Sequence, residues 1–228
     1  MWESFIQALQ LLVGADPELR HIIATTMRMS LTSTLIASVL GISLGVVLGS
    51  RDFWGKKLLL RIINTLMGLP PVVAGLLVFM LLSRRGPLGS WGLLFSVSAM
   101  VIAQVVLITP IVAGLTASAI AGKAPLILET TRGLGIGRAR ELYYLFHETR
   151  AQLIAIMLTG YGRAISEVGA VQLVGGNVQY KTRVMTTAIM LETNRGQFEL
   201  ALALGIILLF IAFLVNGLAQ RLQGESHA

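Results

Sequence analysis

Four stretches of this sequence run for at least 20 residues without a charged side chain: 31–50, 62–83, 86–122 and 200–220. The hydrocarbon core of a membrane is about 30 Å thick, and about 20 apolar residues cross it as a helix. Charged residues make up only 13% of the chain, which is about half of their share in a soluble domain. The chain is therefore predicted to be an all-α membrane protein.

Five membrane-spanning helices are predicted from this pattern. The stretch at 86–122 is too long for one crossing, so we place a short loop at 86–91 before its helix. A further stretch near the C-terminal half is apolar apart from two charged residues. The predicted spans, which form one domain over residues 1–228, are 29–50, 60–83, 93–121, 151–175 and 199–221.

The distribution of basic residues predicts how these helices are oriented. Loops rich in Lys and Arg are retained in the cytoplasm, and here such residues follow the first, third and fifth spans more often than the others. The N-terminus is therefore expected outside the cell and the C-terminus in the cytoplasm. Apolar residues also recur at helical spacing within 2–13, which predicts an amphipathic helix on the outer membrane surface or against the flank of the bundle.

The two charges of the fourth span are Arg163 and Glu167. At a spacing of four residues they share one helix face and can form an ion pair. Ionisable residues in membrane helices usually face the bundle interior or a wet cavity. We interpret the pair as lining or bracing an inner path, and the alternative is a salt bridge that only orients the helix.

Two adjacent prolines, Pro70 and Pro71, interrupt the second predicted span. Each removes a helix hydrogen-bond donor and clashes with the preceding turn, so the helix should bend or open there. An opened helix is tolerated at membrane depth only where protein or water satisfies its backbone groups. The prolines are therefore candidates for a mobile element or for static kinks, and Pro110 in the third span is a further candidate kink.

The longest charged segment, 122–150, lies on the predicted cytoplasmic side. Its middle holds Gly133, Gly135 and Gly137, which allow sharp turns, and a helical pattern begins at Arg138. We expect two short helices joined at these glycines to project from the membrane and to bind a soluble partner.

Several kinds of site are missing from the sequence. Cysteine is absent and the three histidines are far apart, so neither a disulfide nor a metal cluster is expected. The glycines of the charged segment lack the lysine and hydroxyl of an ATP-binding phosphate loop, and no catalytic Ser-His-Asp set is apparent. Membrane topology, rather than nucleic-acid binding, explains the net charge of +7. We therefore predict neither an enzyme nor a bound cofactor.

The charged segment resembles the EAA loop of ABC importer permeases. Glu129 and Gly135 stand at the spacing of that loop, while Thr130 and Thr131 replace its two alanines. The Leu-Pro pair of the family pattern is absent, which changes the exit from the loop and leaves the docking role that the resemblance implies.

Two further segments resemble molybdate and tungstate permeases. Residues 68–75 are similar to their Leu-Pro-Pro segment, and residues 163–171 are similar to their Arg-Ala-x-x-Glu-x-Gly-Ala segment. By this resemblance the chain is identified as a type I ABC importer permease of the molybdate and tungstate branch. Residues 67–71, with Thr130 and Thr131, are most similar to tungstate-specific permeases.

The resemblance implies a MetI-like bundle of about five transmembrane helices, with a cytoplasmic coupling helix, in the plasma membrane. It implies ATP-driven import of a small oxyanion, with tungstate favoured over molybdate or sulfate. The implied partners are an ATP-binding subunit, an extracytoplasmic oxyanion-binding protein and a second copy of the chain. The implied coupling residues are Glu129, Thr130, Thr131, Gly135 and Arg138, and the implied pathway or gate residues are Pro70, Pro71, Arg163 and Glu167.

Two other functions remain open from the residues alone. An ion-coupled secondary transporter would use Arg163 and Glu167 as its titrating pair, although that class more often shows repeated halves and ten or more helices. A channel or receptor without energy coupling would not depend on Glu129 or Gly135.

The segment 177–199 lies on the predicted outer side. Its apolar part, 184–191, is too short to span and predicts a helix at the membrane surface or at the mouth of the path. Its cations, Lys181, Arg183 and Arg195, are expected either to be solvated or to meet an acidic surface of the binding protein.

Overall fold

The computed structural model describes residues 17–224, with the backbone alone described at Arg132 and at residues 218–224. All regular elements within that range are helical, which confirms the predicted class. The helices are α1 (Pro17–Ser50), α2 (Lys56–Met67), α3 (Pro71–Leu82), α4 (Val97–Gly133), α5 (Arg138–Ile165), α6 (Gly169–Gly175), α7 (Met185–Asn194) and α8 (Phe198–Gly224), with a 3-10 turn at Gly89–Trp91. The predicted surface helix at 2–13 lies outside the described residues.

Three helices are each long and apolar enough to cross a membrane: α1, α4 and the Phe198–Gly217 part of α8. The helices at the predicted spans 29–50 and 93–121 extend beyond those bounds, since α1 begins at Pro17 and α4 continues to Gly133. A span estimated from uncharged residues stops at the first charge. The helices continue beyond it, with exposed charges such as Arg20 and Glu129 on their outer faces.

The centre of the bundle is a close contact between α1 and α4. Three glycines of α1, spaced by four residues, face three side chains of α4: Gly41 against Val112, Gly45 against Thr116 and Gly49 against Ile120. A Cβ on Gly45 would lie only 2.5 Å from Cβ of Thr116 and 2.7 Å from the carbonyl oxygen of Ala113. Small residues at this spacing let two helix backbones approach closely.

This contact also fixes the direction of the chain. The partners advance together along α1 and α4, so the two helices run parallel. Residues 51–96 must therefore return the chain to the end of the bundle where α1 began. We call this the α7 end, because α7 packs there against Leu19 and Ile22 of α1.

The second half of the chain begins at the end opposite α7, where α4 ends and α5 starts. α5 runs back along α4. Near the α4–α5 turn, Lys123 of α4 contacts Glu148 of α5. Farther from the turn, Gln104 of α4 contacts Ala164 of α5. α6 continues in the same direction, with Gly175 against Met100. α8 then starts beside α7, where Leu204 joins the cluster that holds Leu19. The α4–α5 turn and the end of α8 therefore lie at the end opposite α7.

Candidate translocation pathway and coupling hairpin

The helix predicted over 60–83 is broken at Pro70. α2 ends at Met67 and α3 begins at Pro71, and the axes of the two helices differ by 102°. Pro70 is extended (φ −60°, ψ 130°), and Pro71 takes the first helical position, where its missing N–H costs nothing. The expected opening at Pro70 and Pro71 is confirmed. The two halves over 60–83 do not form one straight helix, and each has 12 residues and is only about 18 Å long.

The fourth predicted span, 151–175, is broken as well. α5 ends at Ile165 and α6 begins at Gly169, so Glu167 lies in the break rather than on a continuous helix. The seven residues of α6 then complete the passage along α4 to the α7 end. Charge alone marked this span as unusual, and the sequence contains no proline that would predict the break.

The two breaks lie side by side. A Cβ on Gly169 would come within 2.9 Å of Cγ2 of Val72, at the start of α3. One turn farther along α3, a Cβ on Gly75 would lie 2.6 Å from Cα of Ala170. α3 and α6 are therefore two half-helices that begin at the same level and are in backbone contact.

The predicted Arg163–Glu167 ion pair is present beside these breaks. Nη1 of Arg163 lies 2.7 Å from Oε2 of Glu167, whose side chain is 3% exposed, while the side chain of Arg163 is 32% exposed. The second carboxylate oxygen of Glu167 accepts a hydrogen bond from the backbone N–H of Ala170 (3.1 Å), and its carbonyl accepts one from Thr186 (3.0 Å). The pair thus connects α5, α6 and α7 across the break.

A buried polar contact that the sequence analysis missed supports the end of α5. The side-chain amide of Gln104 donates to the carbonyl oxygen of Ala164 (2.7 Å), and Ser33 donates to the amide oxygen of Gln104 (2.5 Å). Gln104 and Ser33 are both fully buried. A glutamine inside an otherwise apolar run was the available signal, because a buried amide requires partners.

The charged segment 122–150 forms a helical hairpin instead of a loop with two short helices. Its first part belongs to α4 and its second to α5, and the residues between Gly133 and Arg138 form the turn. Gly135 has a φ of +68°, which favours glycine. The coupling hairpin, as we call residues 122–150, is therefore a direct extension of two bundle helices.

The five predicted coupling residues do not share one face. Glu129, Thr130, Gly135 and Arg138 are exposed around the tip of the coupling hairpin. Thr131 is buried, and its hydroxyl donates to the carbonyl oxygen of Ile127 (2.8 Å). Four of the residues are thus accessible to a partner, while the hydroxyl of Thr131 is satisfied within α4 itself.

An apolar groove runs along one side of the coupling hairpin. It has a volume of about 610 Å³, and its lining includes Leu126, Leu134 and Tyr144. Leu126 and Leu134 are 74% and 71% exposed. At one edge, the ammonium group of Lys123 donates to the carbonyl oxygen of Glu148 (2.5 Å). Within residues 17–224, by contrast, no three His, Cys, Asp or Glu side chains come together as a metal site.

Residues 41–224 match the model of a family described as binding-protein-dependent transport system inner membrane component. This match covers most of the chain, including both breaks and the coupling hairpin. The chain belongs to this family of ABC importer permeases.

Two curated relatives extend this assignment over nearly the full length of the permease. It is 40% identical over 223 residues to the tungstate uptake system permease protein TupB of Peptoclostridium acidaminophilum, covering 98% of each chain. It is 36% identical to TupB of Campylobacter jejuni over 98% of this permease and 93% of the relative. The family resemblance found in the sequence is thereby confirmed.

The fold of the permease is also found in a solved structure. The inward-facing MetNI methionine ABC transporter contains a chain that superposes with a TM-score of 0.72, covering 92% of this permease and 95% of that chain. At 15% identity the likeness concerns the fold alone. It confirms the predicted MetI-like architecture for this permease.

Proposed function

We propose that the permease forms the membrane pathway of an ATP-driven tungstate importer. The substrate is inferred from the 40% identity of the permease to a tungstate uptake permease over 98% of both chains. Family membership favours the importer over an ion-coupled transporter or an uncoupled channel. Tungstate is preferred to molybdate and sulfate because two relatives, at 40% and 36% identity, are tungstate permeases.

The coupling hairpin is the proposed docking site for a separate ATP-binding subunit. Leu126 and Leu134 are exposed in the charged segment that follows Gly122, and large exposed apolar patches mark interaction sites. Glu129, Thr130 and Arg138 provide a polar rim. The sequence lacks a phosphate-binding loop, so ATP hydrolysis is assigned to the partner.

A second copy of the permease is proposed to complete the pathway. α3 exposes apolar side chains on more than one face, including Val72, Val73 and Leu77. One face can meet lipid while the other meets the partner copy across a two-fold axis. The breaks beside Pro70 and Glu167 would then line the path, and an oxyanion-binding protein would deliver tungstate at the α7 end. This places the N-terminus outside and the coupling hairpin in the cytoplasm.

The Arg163–Glu167 pair is proposed to brace the path rather than to hold the anion. Glu167 uses one oxygen for Arg163 and the other for Ala170, so the charge of Arg163 is largely neutralised. A weakly attracting wall suits transit, because a tightly bound anion would leave slowly. The pair would keep the α5–α6 break in one geometry until the helices move.

Replacing Gly135 by valine should weaken association with the ATP-binding subunit by about tenfold. The φ of +68° is strained for a β-branched residue, by about 1–2 kcal/mol, so the hairpin tip would rearrange. Gly137→Val is the matched control, since Gly137 has a φ of −67° and both positions have open space for a Cβ. Co-purification of tagged permease with the ATPase measures the effect, and equal retention in both variants would contradict the docking assignment.

The proposed function is tested by uptake into proteoliposomes that contain the permease and its ATP-binding subunit. With the oxyanion-binding protein outside and ATP inside, tungstate should accumulate, and removal of ATP should abolish accumulation. Competition with molybdate and sulfate ranks the three oxyanions. Accumulation driven by an ion gradient in the absence of ATP would contradict the proposal.

A further inference from the structure

A polar cavity at the α7 end is separate from both helix breaks and from the coupling hairpin. It has a volume of about 210 Å³ and lies between α1, α7 and α8. Its wall holds two carboxylates, from Glu18 and Glu192, and two guanidinium groups, from Arg183 and Arg195. Apolar residues, among them Leu19, Ile22, Leu200 and Leu204, complete the lining. A cavity with both signs of charge and no excess of either suits a zwitterion.

The four charged groups form two ion pairs, yet two polar atoms remain unsatisfied. Arg183 lies 2.6 Å from Glu18, and Arg195 lies 3.1 Å from Glu192. Nε of Arg183 and Oε2 of Glu192 are buried, and neither has a hydrogen-bond partner among the described residues. The side chains of Arg183 and Glu192 are only 13% and 10% exposed. Buried polar atoms left unpaired are costly, so one donor and one acceptor beside this cavity call for a partner that a bound water or a ligand can supply.

The cavity lies at the N-terminal end of a candidate membrane span. The Phe198–Gly217 part of α8 is long and apolar enough to cross a membrane, and two of its first seven residues, Leu200 and Leu204, line the cavity. Leu204, the α8 residue of the lining farthest from that end, is six positions beyond Phe198, or about 9 Å. Phe198 and Leu202 are exposed on the same first turns of α8, where lipid chains can cover them.

We propose that this cavity binds the headgroup of a zwitterionic phospholipid with a primary ammonium group, of the ethanolamine type. The phosphate would accept hydrogen bonds from Arg183 and Arg195, and the ammonium would donate to Glu192. A choline headgroup has no N–H to donate to Oε2 of Glu192. An anionic headgroup without a cation brings no positive charge to Glu192, and it would leave a net negative charge in a cavity whose own four charges balance. The bound lipid fastens α7 and α8 to the first turn of α1.

The test compares lipids that differ only in headgroup. The purified permease is placed in nanodiscs of phosphatidylcholine alone, or with added phosphatidylethanolamine or phosphatidylglycerol, and thermal unfolding is followed. Phosphatidylethanolamine should raise the unfolding midpoint by at least about 3 °C over the other two compositions. Native mass spectrometry should show at least about fivefold preference for retained phosphatidylethanolamine. Equal midpoints and equal retention in all compositions would overturn the proposal.

Variants separate this site from a general effect of the bilayer. Glu192→Gln and Arg195→Gln should each abolish the ethanolamine-dependent increase, and Arg195 is 55% exposed, so its variant is expected to fold. Glu199→Gln is the control, because Glu199 is exposed on the first turn of α8 and lies outside this cavity. Retention of the increase in both cavity variants would overturn the proposal.

A further experiment, with a soluble analogue of the headgroup, distinguishes a bound lipid from a free zwitterion. O-phosphoethanolamine carries the same phosphate and ammonium groups without acyl chains, and at millimolar concentration in phosphatidylcholine nanodiscs it should leave the midpoint unchanged. A midpoint increase equal to that of the lipid would overturn the lipid assignment.

Discussion

Replacing Gly45 by valine is expected to destabilise the bundle strongly, because it overpacks the contact between α1 and α4. A Cβ at this position would lie 2.5 Å from Cβ of Thr116 and 2.7 Å from the carbonyl oxygen of Ala113, and the branched side chain adds two methyl groups. Overpacking of this kind costs about 1–3 kcal/mol even when neighbours can shift, and here a backbone atom blocks the shift. We therefore expect the upper end of that range or beyond.

The measurement is the free energy of unfolding in mixed micelles of a mild detergent and dodecyl sulfate. Gly205→Val in α8 is the matched control, because it makes the same change inside a membrane helix, where a Cβ would meet nothing within 4 Å. Its stability should change only by the difference in intrinsic helix preference, which favours valine over glycine by a fraction of about 1 kcal/mol. Equal free energies of unfolding for the two variants would contradict the prediction, because they would show that the close contact between α1 and α4 does not contribute to stability.

Replacing Arg163 by methionine is expected to cost about 3–5 kcal/mol of stability and most of the ATP-driven uptake. The change leaves the carboxylate of Glu167, at 3% exposure, without its cation. Glu167→Gln should cost less, about 1–2 kcal/mol, since Gln can still accept from Ala170 and Arg163 is one-third exposed. Unfolding free energies and uptake rates of both variants are the measurements.

The double variant Arg163→Met/Glu167→Gln separates a structural brace from a direct role. Without an unpaired buried charge, it should regain a large part of the stability lost in Arg163→Met. Recovery of uptake together with stability would identify a brace alone, and recovery of stability without uptake would place the pair in the moving pathway. Lys56→Met is the control, because it breaks an exposed pair of the same spacing with Asp52 and should cost less than about 1 kcal/mol.

The class of the protein and the location of its unusual segments could be predicted from sequence. Runs of apolar residues, two adjacent prolines and an ion pair inside an apolar helix each have a direct physical meaning. The opening at Pro70 and the Arg163–Glu167 pair were predicted correctly for this reason. Each feature depends on residues that are close together in the chain.

Contacts between distant segments could not be predicted in the same way. The glycines at 41, 45 and 49 suggest close helix packing only once α4 is known to lie against them. The break after Ile165 depends on Glu167 capping α6 and on Gln104 binding the carbonyl of Ala164, which comes from another helix. The helices extend beyond the predicted spans, because an uncharged run reflects the hydrocarbon thickness and not the length of the helix.

The unbroken course of α4 has a mechanical consequence. Its 37 residues extend about 55 Å, from the loop that contacts α6 through Phe95 and Val174 down to the coupling hairpin. The helix continues through Pro110 and Pro125, and where it tilts as one body a tilt of about 5° about one tip displaces the other tip sideways by about 5 Å. A small stroke delivered by a motor at the hairpin would thus reach the opposite mouth as a movement comparable to the diameter of the transported anion.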